Sequence, residues 1–81
     1  MQKLKDTAIL GKNMRRLRKA KKLTQDQLVA QLNLADIDIS RGCYARYETG
    51  ELNVPVPTLI ALHHIYGCSY DEFFQTKDVF S

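Results

Sequence analysis

The sequence predicts an all-α fold: a compact single domain of five short helices over residues 1–81, with a core at about 7–74 and a tail at 75–81. Apolar residues recur at the three- and four-residue spacing of a buried helix face, and no stretch alternates apolar and polar residues as a half-buried strand does. Serine, threonine and glycine residues stand where helices would begin and end. A chain of this length suffices for one small core.

Helix one is expected over about residues 7–21, where Leu10, Met14 and Leu17 recur at i, i+4 and i+7. The same region concentrates positive charge, because residues 1–24 contain nine of the twelve Lys and Arg residues and a single acid. Such a basic block favours a polyanionic partner. A solvated helix face is the alternative explanation for these cations.

Helix two is expected to begin at Thr24, because Thr24 and Gln27 have the T-x-x-Q pattern of a capping box. Its apolar face consists of Leu28, Val29 and Leu32. The helix should end near residue 32 or 33. Residues 33–39 lack a helical stripe, so they are predicted to form a loop that buries Leu34 or Ile37.

Helix three is expected from Ser40, its N-cap, to about Thr49, with Gly50 as its stop. Gly42 falls in the first turn of this helix, where glycine costs about 1 kcal/mol relative to alanine. The presence of a costly glycine at position 42 therefore predicts that this position must be occupied by a small residue. Helices two and three, joined by a short irregular turn, have the arrangement of a helix-turn-helix.

Helix four is expected to start near Pro57 and to end at Gly67, since proline is tolerated in a first turn. Its inward row consists of Leu59, Leu62 and Tyr66.

Helix five is predicted from a second capping box, formed by Ser69 and Glu72, and contains Phe73 and Phe74. Because neighbours on a helix do not face the same way, one ring should close the core. The other should stay partly exposed, which in a small protein often marks a contact surface.

A series of residues in order along the chain matches the pattern of a known family. They are Leu10-Gly11, Met14 to Arg18, Leu23-Thr24-Gln25, Leu28, Ile39-Ser40-Arg41, Glu48, Gly50, Leu59, Leu62, Tyr66 to Ser69 and Phe73-Phe74. Over about residues 9–74 the sequence resembles the Cro and phage-repressor type of helix-turn-helix, the XRE family. The resemblance implies a lambda-repressor-like fold and a sequence-specific DNA-binding transcriptional regulator, in particular a repressor. Four features depart from the pattern. The turn before helix three is longer than usual, Tyr44 stands where an aliphatic residue is common, His63 stands where alanine is common, and Glu51 stands where members often place a cation.

Helix three, about residues 40–49, is the expected recognition helix in the major groove of double-stranded DNA. Tyr44 and Tyr47 should pack inward, which leaves the opposite face for the bases. The expected base contacts are Arg41, Gly42, Ala45 and Arg46. The two small residues would let the backbone approach DNA closely, and Arg41 could contact a guanine edge bidentately. A solvated surface charge is the alternative for both arginines.

Helix two is expected to lie across the phosphate backbone, because a helix N-terminus attracts anions. The expected phosphate contacts are Thr24, Gln25 and Ser40; in the family, the glutamine just after the cap binds a phosphate. Capping alone would also explain Thr24 and Ser40. The resemblance further implies a structural salt bridge between Arg18 and Glu48 that orients helix three.

Other chemistry fits the sequence poorly, so neither an enzyme, a metal site nor a cofactor is expected. His63 and His64 are adjacent and would point about 100° apart on a helix. Cys43 and Cys68 lie in different elements, without the spacing of a zinc site. No apolar run approaches the ~20 residues of a membrane span, and the N-terminus lacks the apolar core of a signal peptide. A cytoplasmic protein is therefore expected.

A homodimer is expected, because one recognition helix covers only a few base pairs. Its contacts would come from helix five and the tail with Phe80. The alternative function is a protein-interaction or antitoxin-type module that retains the helix-turn-helix fold. That alternative is favoured by residues 25–81, which hold three basic residues and eight acids, and by the uncharged end of the connector ELNVPV at 51–56. A binder of single-stranded RNA is disfavoured, because the tyrosines look internal and leave no stacking platform.

Overall fold

The computed structural model describes residues 6–76, with side chains from residue 8 onward. Its elements are α1 (Asp6–Ala20), α2 (Gln25–Leu34), α3 (Arg41–Thr49), α4 (Val56–Tyr66) and a 3₁₀ helix (Tyr70–Phe74). The predicted all-helical fold is confirmed, and this part of the chain contains no strand. The prediction of five α-helices is wrong, because the last element is a short 3₁₀ helix. The tail beyond Thr76, with Phe80, lies outside the described residues.

Local capping explains where α2 and α3 begin. The Thr24 hydroxyl accepts from the Gln27 backbone N–H at 3.1 Å, and the Gln27 side chain accepts from the Thr24 N–H at 2.9 Å. The Ser40 hydroxyl accepts from the Cys43 N–H at 3.1 Å. Gly50 ends α3 with φ of 83°, in the left-handed region that favours glycine. These predicted caps are confirmed.

The predicted capping box at Ser69 and Glu72 is wrong. The Ser69 side chain makes no capping hydrogen bond. Glu72 instead lies beside α1, with its carboxylate 3.7 Å from Arg16, and its backbone carbonyl accepts from the same guanidinium at 3.3 Å. Asn13, also on α1, donates to the carbonyl of Phe73 at 2.8 Å. Contacts with α1 therefore position the 3₁₀ helix in place of a local cap.

The prediction that helix two ends near residue 32 or 33 is wrong, because α2 continues to Leu34 and the turn before α3 begins later than predicted. Leu34 is 86% exposed, whereas Ile37 packs partly against the core, so Ile37 is the buried member of the predicted pair. The Asn33 side-chain amide donates to the carbonyl of Ile37 at 2.9 Å, and Asp36 has φ of 65°. These features hold the turn that leads into Ser40.

The core lies where the inward faces of the helices meet. Its buried apolar residues are Met14, Leu17, Leu28, Val29, Leu32, Tyr44, Tyr47, Leu62, Tyr66 and Phe73. The predicted inward rows are confirmed, although Leu10 and Leu59 are only partly buried. Phe73 is fully buried and Phe74 is 56% exposed, as expected for neighbours on one turn.

Two tyrosine hydroxyls lie inside this core and bond each other. The hydroxyls of Tyr44 and Tyr66 are 2.7 Å apart. Burial raises the pKa of both phenols, so both stay neutral and neither leaves a polar group without a partner. Tyr44 thereby ties the middle of α3 to the end of α4.

Candidate nucleic-acid interface

The outward face of α3 brings together the four residues expected to contact bases. Arg41, Gly42 and Arg46 are exposed and Ala45 is half-buried. On the opposite side of the helix, Tyr44 and Tyr47 are buried. A surface with two long cations and two small residues thus faces away from the core.

Nothing inside the protein requires glycine at position 42. A Cβ atom there would meet only the Ser40 hydroxyl, at 3.8 Å. Gly11 on α1 contrasts with it, because a Cβ atom there would collide with the backbone carbonyl oxygens of Tyr47 and Glu48. Gly11 therefore serves the packing of α1 on α3, whereas Gly42 leaves open space on the outer surface of α3.

A buried ion pair holds the far end of α3 against α1. The Arg18 Nε donates to Glu48 Oε2 at 2.7 Å and Nη2 donates to Oε1 at 3.2 Å. The remaining Nη1 donates to the carbonyl of Leu23 at 2.8 Å. The two side chains are only 10% and 4% exposed, so removing one partner would leave a buried charge. The bridge that the resemblance implies is thus present, and it fixes the direction of α3.

Glu48 is an acceptor for the N-terminus of α2 as well. The Gln25 side-chain N–H donates to Glu48 Oε1 at 3.2 Å. Burial raises the pKa of Glu48, but hydrogen bonds from Arg18, Tyr44 and Gln25 outweigh it, and the net pKa is lowered. The carboxylate therefore stays ionised and orients Gln25 on the same side of the molecule as the open face of α3.

The three residues expected to contact phosphate keep donors for that role. Thr24 and Ser40 are exposed, and each uses its hydroxyl oxygen to accept a backbone N–H, which leaves the O–H free to donate. Gln25 uses one of its two amide hydrogens on Glu48. The structure places all three at the first turns of α2 and α3.

The model of a helix-turn-helix domain family matches residues 9–73 of the chain. The chain belongs to this family. The match supports a DNA-binding fold, and α2 and α3 are its helix-turn-helix. Comparison with curated proteins and with solved structures gave no match. Among the described helices, none is long and apolar enough to cross a membrane.

Sequence reasoning missed Asp26, which lies in the first turn of α2 beside the first residue of α3. Its Oδ1 lies 3.4 Å from the Arg41 Nε, and a second acid, Glu51, lies 4.0 Å from the Arg46 Nε. All four side chains are more than half exposed, so each pair adds little stability. No sequence pattern assigned Asp26 a further role, because the helix dipole already favours an acid in the first turn of a helix.

Arg15 on α1 is the second residue that sequence reasoning did not single out. A surface depression of about 300 Å³ lies beside the helix-turn-helix and is lined by Arg15, Gln25, Ala45, Glu48 and Thr49. Arg15 is exposed, whereas the Glu48 carboxylate in the depression is already paired with Arg18. The one signal in the sequence was the basic block of α1, which does not distinguish Arg15 from its neighbours.

Proposed function

We propose that the protein is a sequence-specific DNA-binding transcriptional regulator of the Cro and phage-repressor type, the XRE family. It acts as a cytoplasmic repressor, without enzyme activity, cofactor or metal. The observation that carries the proposal is the outward face of α3, with Arg41, Gly42, Ala45 and Arg46 on the side opposite the buried tyrosines. A helix of this kind fits a major groove about 12 Å wide.

The base contacts follow from the chemistry of this face. Arg41 contacts a guanine through its O6 and N7 acceptors, the commonest specific contact to DNA. Gly42 and Ala45 let the backbone of α3 come close to the groove wall. Arg46, one turn further along, contacts a base or the adjoining phosphate. The Arg18–Glu48 bridge supports this role, because it keeps α3 in one orientation on the body of the domain.

The phosphate contacts lie at the N-termini of α2 and α3. Thr24, Gln25 and Ser40 donate to phosphate oxygens, and Arg15 adds a cation at the neighbouring depression. Phosphate contacts set position and affinity but carry no base information. The logarithm of the binding constant should therefore fall with the logarithm of salt concentration, with a slope of about −0.9 per phosphate contacted.

The functional unit is a homodimer that spans two half-sites about 34 Å apart, one helical turn of DNA. Phe74 is the proposed anchor of the dimer, together with the tail. The support is its 56% exposure in the 3₁₀ helix, where Tyr70 is also exposed. Sedimentation of the parent protein and of Phe74→Ala tests this assignment.

Selection of bound sequences from a random pool of duplex DNA tests the proposed function. An enriched motif is expected, with affinity that falls steeply as salt rises. Arg41→Ala should then cost about 1–3 kcal/mol on the selected site and relax the preference at one base position. Gln25→Ala is the comparison, because losing a phosphate contact should weaken all sequences about equally. Failure to enrich any motif would refute sequence-specific binding.

The second candidate is a protein-interaction module of antitoxin type that retains the fold. It is favoured by the acids that face the recognition helix, because Asp26 and Glu51 offset the charge of Arg41 and Arg46. The two functions differ in a simple measurement. A DNA-binding protein retards random duplex DNA at low salt, and the complex dissociates as salt rises. An interaction module shows no such retardation.

A further inference from the structure

Asp26 and Arg41 lie in the first turns of the two helices of the helix-turn-helix and face each other across it. Asp26 lies in the first turn of α2 and Arg41 is the first residue of α3. The Asp26 Oδ1 is 3.4 Å from the Arg41 Nε, and their side chains are 80% and 61% exposed. An acid beside the proposed DNA surface repels phosphate, so Asp26 by its charge alone would weaken DNA binding.

The guanidinium of Arg41 can pair with Asp26 and still contact a base. Arginine presents five N–H donors in a rigid plane, and only one of them is on Nε. With its Nε edge directed at Asp26, the two terminal nitrogens of Arg41 remain free for a bidentate contact with guanine. A long side chain held in one direction before binding also loses less conformational freedom on contact with DNA.

We propose that Asp26 is a positioning residue that holds Arg41 by its Nε edge and so sharpens base preference at the position Arg41 contacts. This role rests on the proposed function and adds to it a residue that determines specificity. Asp26 then has two opposite effects: it weakens attraction to any DNA through its charge, and it strengthens discrimination through Arg41. A surface acid that only favours the start of α2 has the first effect without the second.

Asp26→Asn separates the two effects, because it removes the charge and keeps the shape. Binding is measured on the selected site, on the same site with the Arg41 base pair changed, and on random duplex, each at two salt concentrations. Glu51→Gln is the matched control, since it also removes one exposed acid that lies beside an arginine of α3. Thermal melts of both variants confirm that they remain folded.

Asp26→Asn is expected to bind random duplex more tightly and to lose about three- to tenfold of the discrimination at the Arg41 base pair, a part of what a bidentate contact provides. Glu51→Gln should also bind random duplex more tightly but keep that discrimination. Asp26→Glu should restore it, because the carboxylate returns. In an Arg41→Ala background, Asp26→Asn should no longer change discrimination at all, because the two residues act as a unit.

Two results overturn the proposal, and they are distinguishable from failure of the proposed function. The role of Asp26 alone is refuted if Asp26→Asn keeps the discrimination of the parent. It is also refuted if Asp26→Asn lowers discrimination by the same factor in the Arg41→Ala background. A parent protein with no site preference refutes sequence-specific binding and this role with it.

Discussion

Two glycine-to-alanine substitutions on facing helices should have opposite effects on stability. At Gly11 a Cβ atom would overlap the carbonyl oxygens of Tyr47 and Glu48 and lie 2.8 Å from the Glu48 carbonyl carbon. All of these atoms belong to the backbone of α3, so no side chain can rotate away. Gly11→Ala must therefore push α1 from α3, which also strains the buried bridge between Arg18 and Glu48.

The size of the effect follows from this contact. Overpacking a tight site costs about 1–3 kcal/mol, and a backbone obstacle places Gly11→Ala near the top of that range. A domain of this size loses about 4–8 °C in Tm per kcal/mol, so Tm should fall by about 10–20 °C. At Gly42 the new methyl group meets open space, and replacing a helical glycine should add roughly 0.5–1 kcal/mol.

Thermal melts followed by circular dichroism decide the stability prediction, with the two variants and the parent measured side by side. Gly11→Ala within about 2 °C of the parent would show that the backbones of α1 and α3 are not in close contact. Binding to the selected DNA site then gives a second result for Gly42→Ala. This variant should be more stable yet bind DNA more weakly, because its methyl group occupies the space needed for close approach. Undiminished binding would mean that Gly42 has no such role.

Three further predictions concern the core, one strained residue and the buried carboxylate. Phe73→Ala should destabilise the monomer by ~3–5 kcal/mol in thermal melts, whereas Phe74→Ala should leave the melt nearly unchanged and weaken self-association in sedimentation; equal effects of the two would contradict the assignment. Lys22→Gly should raise the free energy of unfolding by roughly 0.5–1 kcal/mol in denaturant titrations, because Lys22 has φ of 58°, where a side chain is unfavourable. A lower free energy of unfolding would refute this prediction. The Glu48 pKa is lowered in the fold, so its contribution is complete above the unfolded pKa of about 4.3 and is lost as pH falls through the folded value. Glu48→Gln should be less stable than the parent at neutral pH, and its stability should fall less on acidification; parallel acid profiles would contradict this.

Features set by short-range chemistry were predictable from the sequence. The caps at Thr24 and Ser40 involve residues three apart, so the pattern alone specifies them. The pattern at Phe73 and Phe74 showed that the two rings must diverge, but not which one enters the core, because that depends on the orientation of the 3₁₀ helix on α1. The helix type itself was not predictable for the same reason.

Features set by distant partners could not be predicted. Ser69 and Glu72 have the letters of a capping box, yet Glu72 pairs with Arg16, which lies far away in the sequence. The pairing of Asp26 with Arg41 likewise joins two helices across the turn and leaves no trace in local spacing. The resemblance supplied the pair Arg18 and Glu48, which residue patterns alone would not have connected.

The contacts that fasten α3 to the domain lie away from the residues proposed to contact bases. Tyr44, Tyr47 and Glu48 face the body of the protein, whereas the side chains of Arg41 and Arg46 reach only exposed acids. New residues at positions 41, 42 and 46 would therefore alter what the surface binds while the scaffold stays folded. This separation makes the domain a suitable starting point for libraries of altered target preference, and it would let related proteins diverge in their targets with little loss of stability.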